Sequence, residues 1–447
     1  PTAGPQGYDV ANSCRFNRGS SDHLTFTPSS TGNRRTFTIS FWIKIGIFSS
    51  GEYGIFDAGG DSNSNGWFDI QQGHTAPGDF MSQFYNGAFR NFKLTQKIQD
   101  PSAWYHIVVA VDTTQGTDTN RLKYYINGTQ VTDFNSPVYP NQNFDLNVNT
   151  SGQKQTIGGR ANGSSTIVDF FNGYLSEFVM IDGQQLAPTD FGEFNSQTGI
   201  WVPKVVTGLT FGNNGFYLPF TNSGALGEDF SGEDNDFSVN NLTSIDQSTD
   251  TCTTNFATFN ALTKNTARGT LSNGNLTYVA TDSNWSAIPS SIGVSSGKWY
   301  AEFKFSSSVG NDLNVGIIDE ASLYNVISSG TGASDFYIGK TSGSYGYFAN
   351  GNKVNNASST AYGASYTNGD IVGVALDMDA GTIVFYKNGA SQGTAFTGLS
   401  GTYFIGLSTY KTGEANFGSP PYAISSGNTD GNGFGNFEYA VPSGYLS

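Results

Sequence analysis

Val109-Ala110-Val111-Asp112, a polar loop, and then Leu122-Lys123-Tyr124-Tyr125-Ile126-Asn127-Gly128 form the stretch on which the fold of this chain is decided. Its apolar residues fall into two short runs, each of strand length, and the second ends in Asn-Gly. That dipeptide accepts positive φ and suits a type I′ hairpin turn. The same unit returns in the second half, where Val374-Ala375-Leu376-Asp377 is followed by Ile383-Val384-Phe385-Tyr386-Lys387-Asn388-Gly389. Two copies of a strand, a reversal and a second strand predict an all-β chain with two β-sandwich, jelly-roll-like domains of related architecture.

Composition agrees. The 447 residues hold 57 Gly, 35 Phe, 23 Tyr and 6 Trp, with only 13% charged. Aromatic and β-branched residues favour strands, Gly and Asn favour turns, and a helical bundle would need far more Ala, Leu, Glu and Lys. The length fits two or three domains. Acidic residues outnumber basic ones to give a net charge of −15. Such a field repels phosphate backbones and argues against nucleic acid as a partner. Apolar runs such as Ile107 to Val111 and Ile371 to Leu376 are too short to insert in a membrane, and the start Pro1-Thr2-Ala3-Gly4-Pro5 lacks the basic and apolar regions of a secretory leader. Both point to a soluble protein made in a cytoplasm. Cys14 and Cys252 are too far apart in sequence for a C-x-x-C arrangement, and spacing alone does not settle whether they pair.

Strands are expected from Thr36 to Ile45, Tyr53 to Ala58, Trp67 to Gln71, Trp104 to Asp112, Leu122 to Asn127 and Tyr174 to Ile181. A second set runs from Trp299 to Phe305, Asn314 to Ile318, Phe336 to Gly339, Ile371 to Asp377, Thr382 to Lys387 and Phe404 to Leu407. Pro188 to Phe194 has room for one helical turn. These assignments divide the chain into a first domain over 1–204, a connector over 205–273 and a second domain over 274–447. The connector holds eight aromatics from Phe211 to Phe259, too many for a disordered segment, and is read as packed on its neighbours.

Catalytic chemistry is sparse. There are 3 His residues. No E-x-D-x-x-E string of the glucanase kind is present, Asp229, Glu233, Asp234 and Asp236 are close in sequence but lie in a Gly-rich turn stretch, and Gly389-Ala390-Ser391-Gln392-Gly393 matches G-x-S-x-G without the strand-to-helix turn that makes it a nucleophile elbow. The chain is therefore expected not to be an enzyme. For a metal, Asp61, Asn63, Asn65 and Asp69 place oxygens at positions 1, 3, 5 and 9 of a calcium-loop pattern with Gly66 at position 6. Gln72 replaces the bidentate Glu, and a polar hairpin loop is the alternative reading. Calcium is the one cofactor considered. For a sugar, aromatic faces beside planar amides are wanted. Trp67 beside the Asn-rich loop, and Tyr345, Tyr347 and Asn350 in a Gly/Ser-rich stretch, are the residues chosen.

Two resemblances add to this reading. Thr38 to Lys44, Trp104 to Asp112, Tyr125 to Gly128 and Phe171 to Phe178 resemble a concanavalin A-like, laminin-G-type sandwich over about Tyr8 to Val202. Gly297-Lys298-Trp299-Tyr300-Ala301-Glu302, Gly369 to Asp377, Phe385 to Gly389 and Asn416-Phe417-Gly418 resemble a SPRY domain, in which loops at one end of the sandwich take ligands, and Tyr345 to Asn352 matches such a loop. The combination, with the connector Gly215 to Phe220 and Ser231 to Phe237, is similar to structural proteins of tailed bacteriophages. That resemblance implies a virion fibre, spike or capsid decoration assembled in the host cytoplasm. Its partners would be other virion proteins and a host cell-surface glycan, and by analogy it would be a homo-trimer. A purely structural decoration and, third, a glycan-degrading enzyme are the alternatives.

Overall fold

The computed structural model describes residues 8–265, 267–281, 283–307, 313–328 and 335–447. The first five residues, read above for a leader, lie outside them. The chain divides into two compact units, 2–255 and 256–447.

Among the described residues, the first unit has two eight-stranded antiparallel sheets. In one, Trp104–Asp112, Thr36–Ile45 and Gly173–Asp182 are consecutive neighbours. In the other, Phe80–Tyr85, Phe68–Gln72, Tyr53–Ala58 and Gln155–Ile157 run side by side. Alternation sends Phe37, Phe41, Phe56, Phe68 and Phe178 into one buried core between the sheets, where Phe41 and Phe178 stack 5.0 Å apart. The Asn127-Gly128 reversal has φ of 47° and 77°, the positive pair a type I′ turn requires.

Segment 205–273 is shared between the units. Phe216–Leu218 pairs with Gly173–Asp182, Ser238–Asn240 with His23–Phe26, and Gln247–Ser248 with Ser13–Phe16, so residues up to 255 extend both sheets of the first unit. Pro188–Asp190 forms one 3-10 turn. Cys14 is buried and neither cysteine is in a disulfide.

The second unit pairs a seven-stranded with a six-stranded sheet among the described residues. Lys298–Ser307 lies between Ile371–Asp377 and Thr412–Asn416, and Leu313–Asp319 lies between Tyr403–Thr409 and Ser344–Phe348. The reversal at Asn388-Gly389 repeats the positive pair at 47° and 76°. Phe336 to Gly339, expected as a strand, is irregular. Its buried Phe336 and Ile338 pack with Ala287, Ile318 and Val326, and side chains satisfy the Ile338 backbone: Ser408 Oγ accepts from the Ile338 N–H, and Asn314 Nδ2 donates to the Ile338 carbonyl.

Candidate binding surfaces

Because the strands of the first unit are in register, Thr156, Asp57, Asp69, Gln83 and Asn91 form a row of direct cross-strand partners, one from each of five strands. They alternate with the core residues Phe56 and Phe68 and so occupy the sheet's other face. Asp57, Asp69 and Gln71 are fully buried, as is Trp67, which closes over the row and donates its indole N–H to Asp57 Oδ2 at 2.6 Å. Arg160 completes the cover. It pairs with Glu52, with Asp169 at 2.9 Å and with Asp69 at 3.6 Å. Burial pushes the Asp57 carboxyl up to about 7. It raises Asp69 too, against the pull of Arg160. Two acids with raised pKa values on facing strands are the raw material of acid–base chemistry, but here they lie beneath a tryptophan and a clamped guanidinium. Sequence spacing gave no sign of this pair, because its members come from different strands.

This geometry corrects three choices. Trp67 is a buried lid with no face for a sugar. Asp69 belongs to the row, where it accepts from the Gln83 backbone N–H at 3.1 Å. Asn63 and Asn65 are exposed in the preceding loop, and Asp61 there accepts the Asn63 N–H at 2.9 Å in a local turn. Asp61, Asn63, Asn65 and Asp69 thus divide between a surface turn and the buried sheet face, and they do not form a calcium loop. Among the described residues no group of three or more His, Cys, Asp or Glu is placed to hold a metal ion.

His106 is likewise structural. Trp201 Nε1 donates to its Nδ1 at 3.0 Å, and Ser40 Oγ lies 2.9 Å from its Nε2. An indole N–H can only donate, so Nδ1 is the acceptor and the ring proton sits on Nε2, facing Ser40. A histidine in that tautomer cannot take the Ser40 proton. Burial lowers its pKa to about 3, which keeps it neutral.

In the second unit, the stretch chosen as a ligand loop is a strand, Ser344–Phe348, followed by a tight turn. Tyr347 points into the core, fully buried, with its hydroxyl on the Ala364 carbonyl. Tyr345 is half-buried against Phe396 and Tyr403, at 5.0 and 6.1 Å. Asn350 is exposed, and its Oδ1 accepts the Asn352 N–H. These three are not brought together as a site.

The neighbouring face carries what sequence reading missed. Trp285 precedes strand Ser286–Pro289, Tyr410 follows Tyr403–Thr409, and Phe348 ends its own strand. The registers Ser286↔Thr409 and Asn314↔Phe348 put all three at one end of the six-stranded sheet. The Trp285 ring meets Tyr410 at 5.3 Å, Phe348 at 5.4 Å and Tyr337 at 5.9 Å, the first two nearly perpendicular to it. All four rings are partly exposed. The ammonium groups of Lys340 and Lys411 lie over Tyr337 and Tyr410. The four aromatics are scattered in sequence, and only strand register assembles them.

Comparison with known proteins places both domains. Residues 18–186 match the family described as the concanavalin A-like lectin/glucanases superfamily, and residues 298–420 match the SPRY domain. The chain therefore carries a concanavalin A-like domain followed by a SPRY domain. Among curated proteins it is 36% identical over 94 residues to the E3 ubiquitin-protein ligase RKP of Arabidopsis thaliana, covering 19% of this chain and 7% of that protein. It is 32% identical over 143 residues to the probable ATP-dependent RNA helicase ddx1 of Dictyostelium discoideum, covering 31% and 17%. The chain thus spans a small part of either relative. Among solved structures, the SPRY domain of human HERC1 is 24% identical, covering 33% of this chain and 91% of that one, with a TM-score of 0.28. A heptameric SAP-like pentraxin from Limulus polyphemus is 16% identical, covering 45% and 100%, with a TM-score of 0.31.

Proposed function

We propose that this chain is a non-catalytic recognition protein that binds surface glycan, and that it serves as a fibre, spike or decoration of a tailed-phage virion. The observation that carries the recognition reading is the partly exposed ring cluster around Trp285. A soluble β-domain gains nothing from leaving four contacting aromatics at its surface unless something covers them, and the apolar face of a sugar ring is a natural cover. The virion assignment rests on the order of motifs in the sequence. The non-catalytic reading is supported by the burial of Asp57 and Asp69 and by the tautomer of His106.

The test is binding of the labelled protein to bacterial cells. Saturable binding that free polysaccharide competes away, and that Trp285→Ala abolishes without lowering the melting temperature, supports the proposal. Binding only to virions stripped of this protein would replace it with a purely structural role. One observation favours a second reading, a glycan-degrading enzyme: the facing acids Asp57 and Asp69. Release of reducing sugar that Asp57→Asn abolishes would establish that reading instead.

A further inference from the structure

The first unit has an open edge at which both of its sheets end. Thr129–Val131 is the last strand of one sheet, and Phe134–Asn135, paired with Phe89–Leu94, is the last of the other. Two hollows lie along this edge and meet at Thr95, one of about 560 Å³ and one of about 580 Å³. Each is of the size that holds a small ligand, and together they make an extended groove. Its walls are hydrogen-bonding side chains of the kind that read hydroxyl groups. Gln96, Gln130, Asn135, Thr129 and Thr132 are exposed there.

Positive charge is gathered at one end. At one end stand Lys93 and Lys97, both ion-paired to the single carboxylate of Asp79, which is fully buried. The Thr75 and Ala76 N–H groups and the Thr75 hydroxyl also donate to that carboxylate. These donors hold Asp79 well below the usual carboxylate range, so it stays ionised. Two ammonium groups against one carboxylate leave a positive charge uncompensated, in a chain of net charge −15. Donors are left over too. Among the described residues Lys93 Nζ serves Asp79 and Thr75, and Lys97 Nζ serves Asp79, so one N–H of the first and two of the second face the groove or water. Where the hollows meet, Asp133 is exposed with its Oδ1 already accepting from the Thr95 hydroxyl at 3.1 Å, and beyond it the second hollow is walled by the neutral Asn127, Thr129 and Gln130.

From this we infer that the edge groove is a second ligand site, taking an acidic oligosaccharide whose carboxylate or sulfate lies at Lys93 and Lys97 and whose neutral residues run past Thr95 along Thr129 and Gln130. The two lysines stand at one end alone, so the groove fixes both charge and direction. The inference rests on the reading of this chain as a glycan binder, but it uses residues remote in sequence from the Trp285 cluster.

The experiment is calorimetric titration of the full chain with a galactose hexamer that ends in one galacturonic acid residue and, separately, with the all-galactose hexamer. The acidic hexamer is expected to bind at least tenfold more tightly, with the advantage lost between 50 and 500 mM salt. Lys97→Gln should remove most of that advantage. Because both lysines partner the buried Asp79, the second variant lies outside that ion pair: Gln130→Ala with Asn135→Ala, which should weaken both hexamers. Equal affinity for the two hexamers, or a preference that Lys97→Gln does not change, would overturn this inference while leaving glycan recognition standing. Binding of neither hexamer would overturn it too, and loss of cell binding as well would remove the broader reading.

Discussion

Lys44 and Asp250, 206 positions apart in sequence, form an ion pair 2.7 Å long with both side chains almost fully shut from solvent. Lys44 stands on the outer face of the first sheet, and Asp250 follows the last strand that segment 205–255 adds to it. Trp104 Nε1 donates to the other Asp250 oxygen at 3.0 Å, and Asn255 accepts from Lys44 at 2.8 Å. This pair pins the segment over Trp42, Trp104, Tyr174 and Trp201.

Removing one partner strands a buried charge, whereas removing both does not. Lys44→Met is therefore expected to cost about 3–5 kcal/mol, and the double variant Lys44→Met with Asp250→Leu much less. Urea denaturation of the two variants compares them, and a double variant no more stable than the single would contradict the assignment.

The buried acids set a pH dependence. Asp57 has a folded pKa of about 7 against 3.8, and Glu177, buried beneath Tyr217, is raised to about 7 against 4.5. Between about pH 4 and pH 7 the folded state holds these protons and the unfolded chain does not. Stability contributed by each group is thus full below about pH 4 and is lost as pH rises through 7, on the order of a few kcal/mol per group. The melting temperature of the first unit should fall from pH 5 to pH 8, and Asp57→Asn or Glu177→Gln should each flatten the fall. An unchanged slope in both variants would refute the account.

The two tryptophans chosen by opposite routes should behave oppositely. Trp67→Phe keeps a ring but removes the N–H that Asp57 accepts, at a cost of about 1–3 kcal/mol. Trp285→Phe, at a partly exposed position, should cost under about 1 kcal/mol and reduce ligand binding. Thermal melts of both variants, read beside a binding assay, decide the matter; a destabilised Trp285→Phe would mean that its cluster is core.

Much of the fold was legible in the sequence, and little of the site. Thr36–Ile45, Tyr53–Ala58, Trp104–Asp112, Ile371–Asp377 and Thr382–Lys387 end where apolar runs and turn residues said they would. Local pattern and strand limits are the same information. Burial is another matter, because both faces of the first unit's sheets are covered in part. Trp67 looks like an exposed aromatic beside a polar loop only until Arg160, more than ninety positions on, closes over it. Asp57 with Asp69, and Trp285 with Phe348 and Tyr410, are neighbours by strand register, which no spacing in the chain reveals.

Calcium should leave the protein unchanged, since Asp69 is on the sheet face and Asp61, Asn63 and Asn65 are in a surface turn. A ligand at 100 times its dissociation constant would add about 2.7 kcal/mol. Equal melting temperatures in millimolar calcium and in chelator are expected, and a rise of several degrees with calcium would restore the loop as a site.

Recognition without catalysis is tested most directly by incubating the purified chain and its Trp285→Ala variant with bacterial surface polysaccharide while bound protein and new reducing ends are measured in the same samples. The account predicts saturable binding by the parent chain, loss of binding in the variant, and no new reducing ends in either. Binding indifferent to Trp285, or reducing ends that appear with the parent chain and vanish in Asp57→Asn, would contradict it.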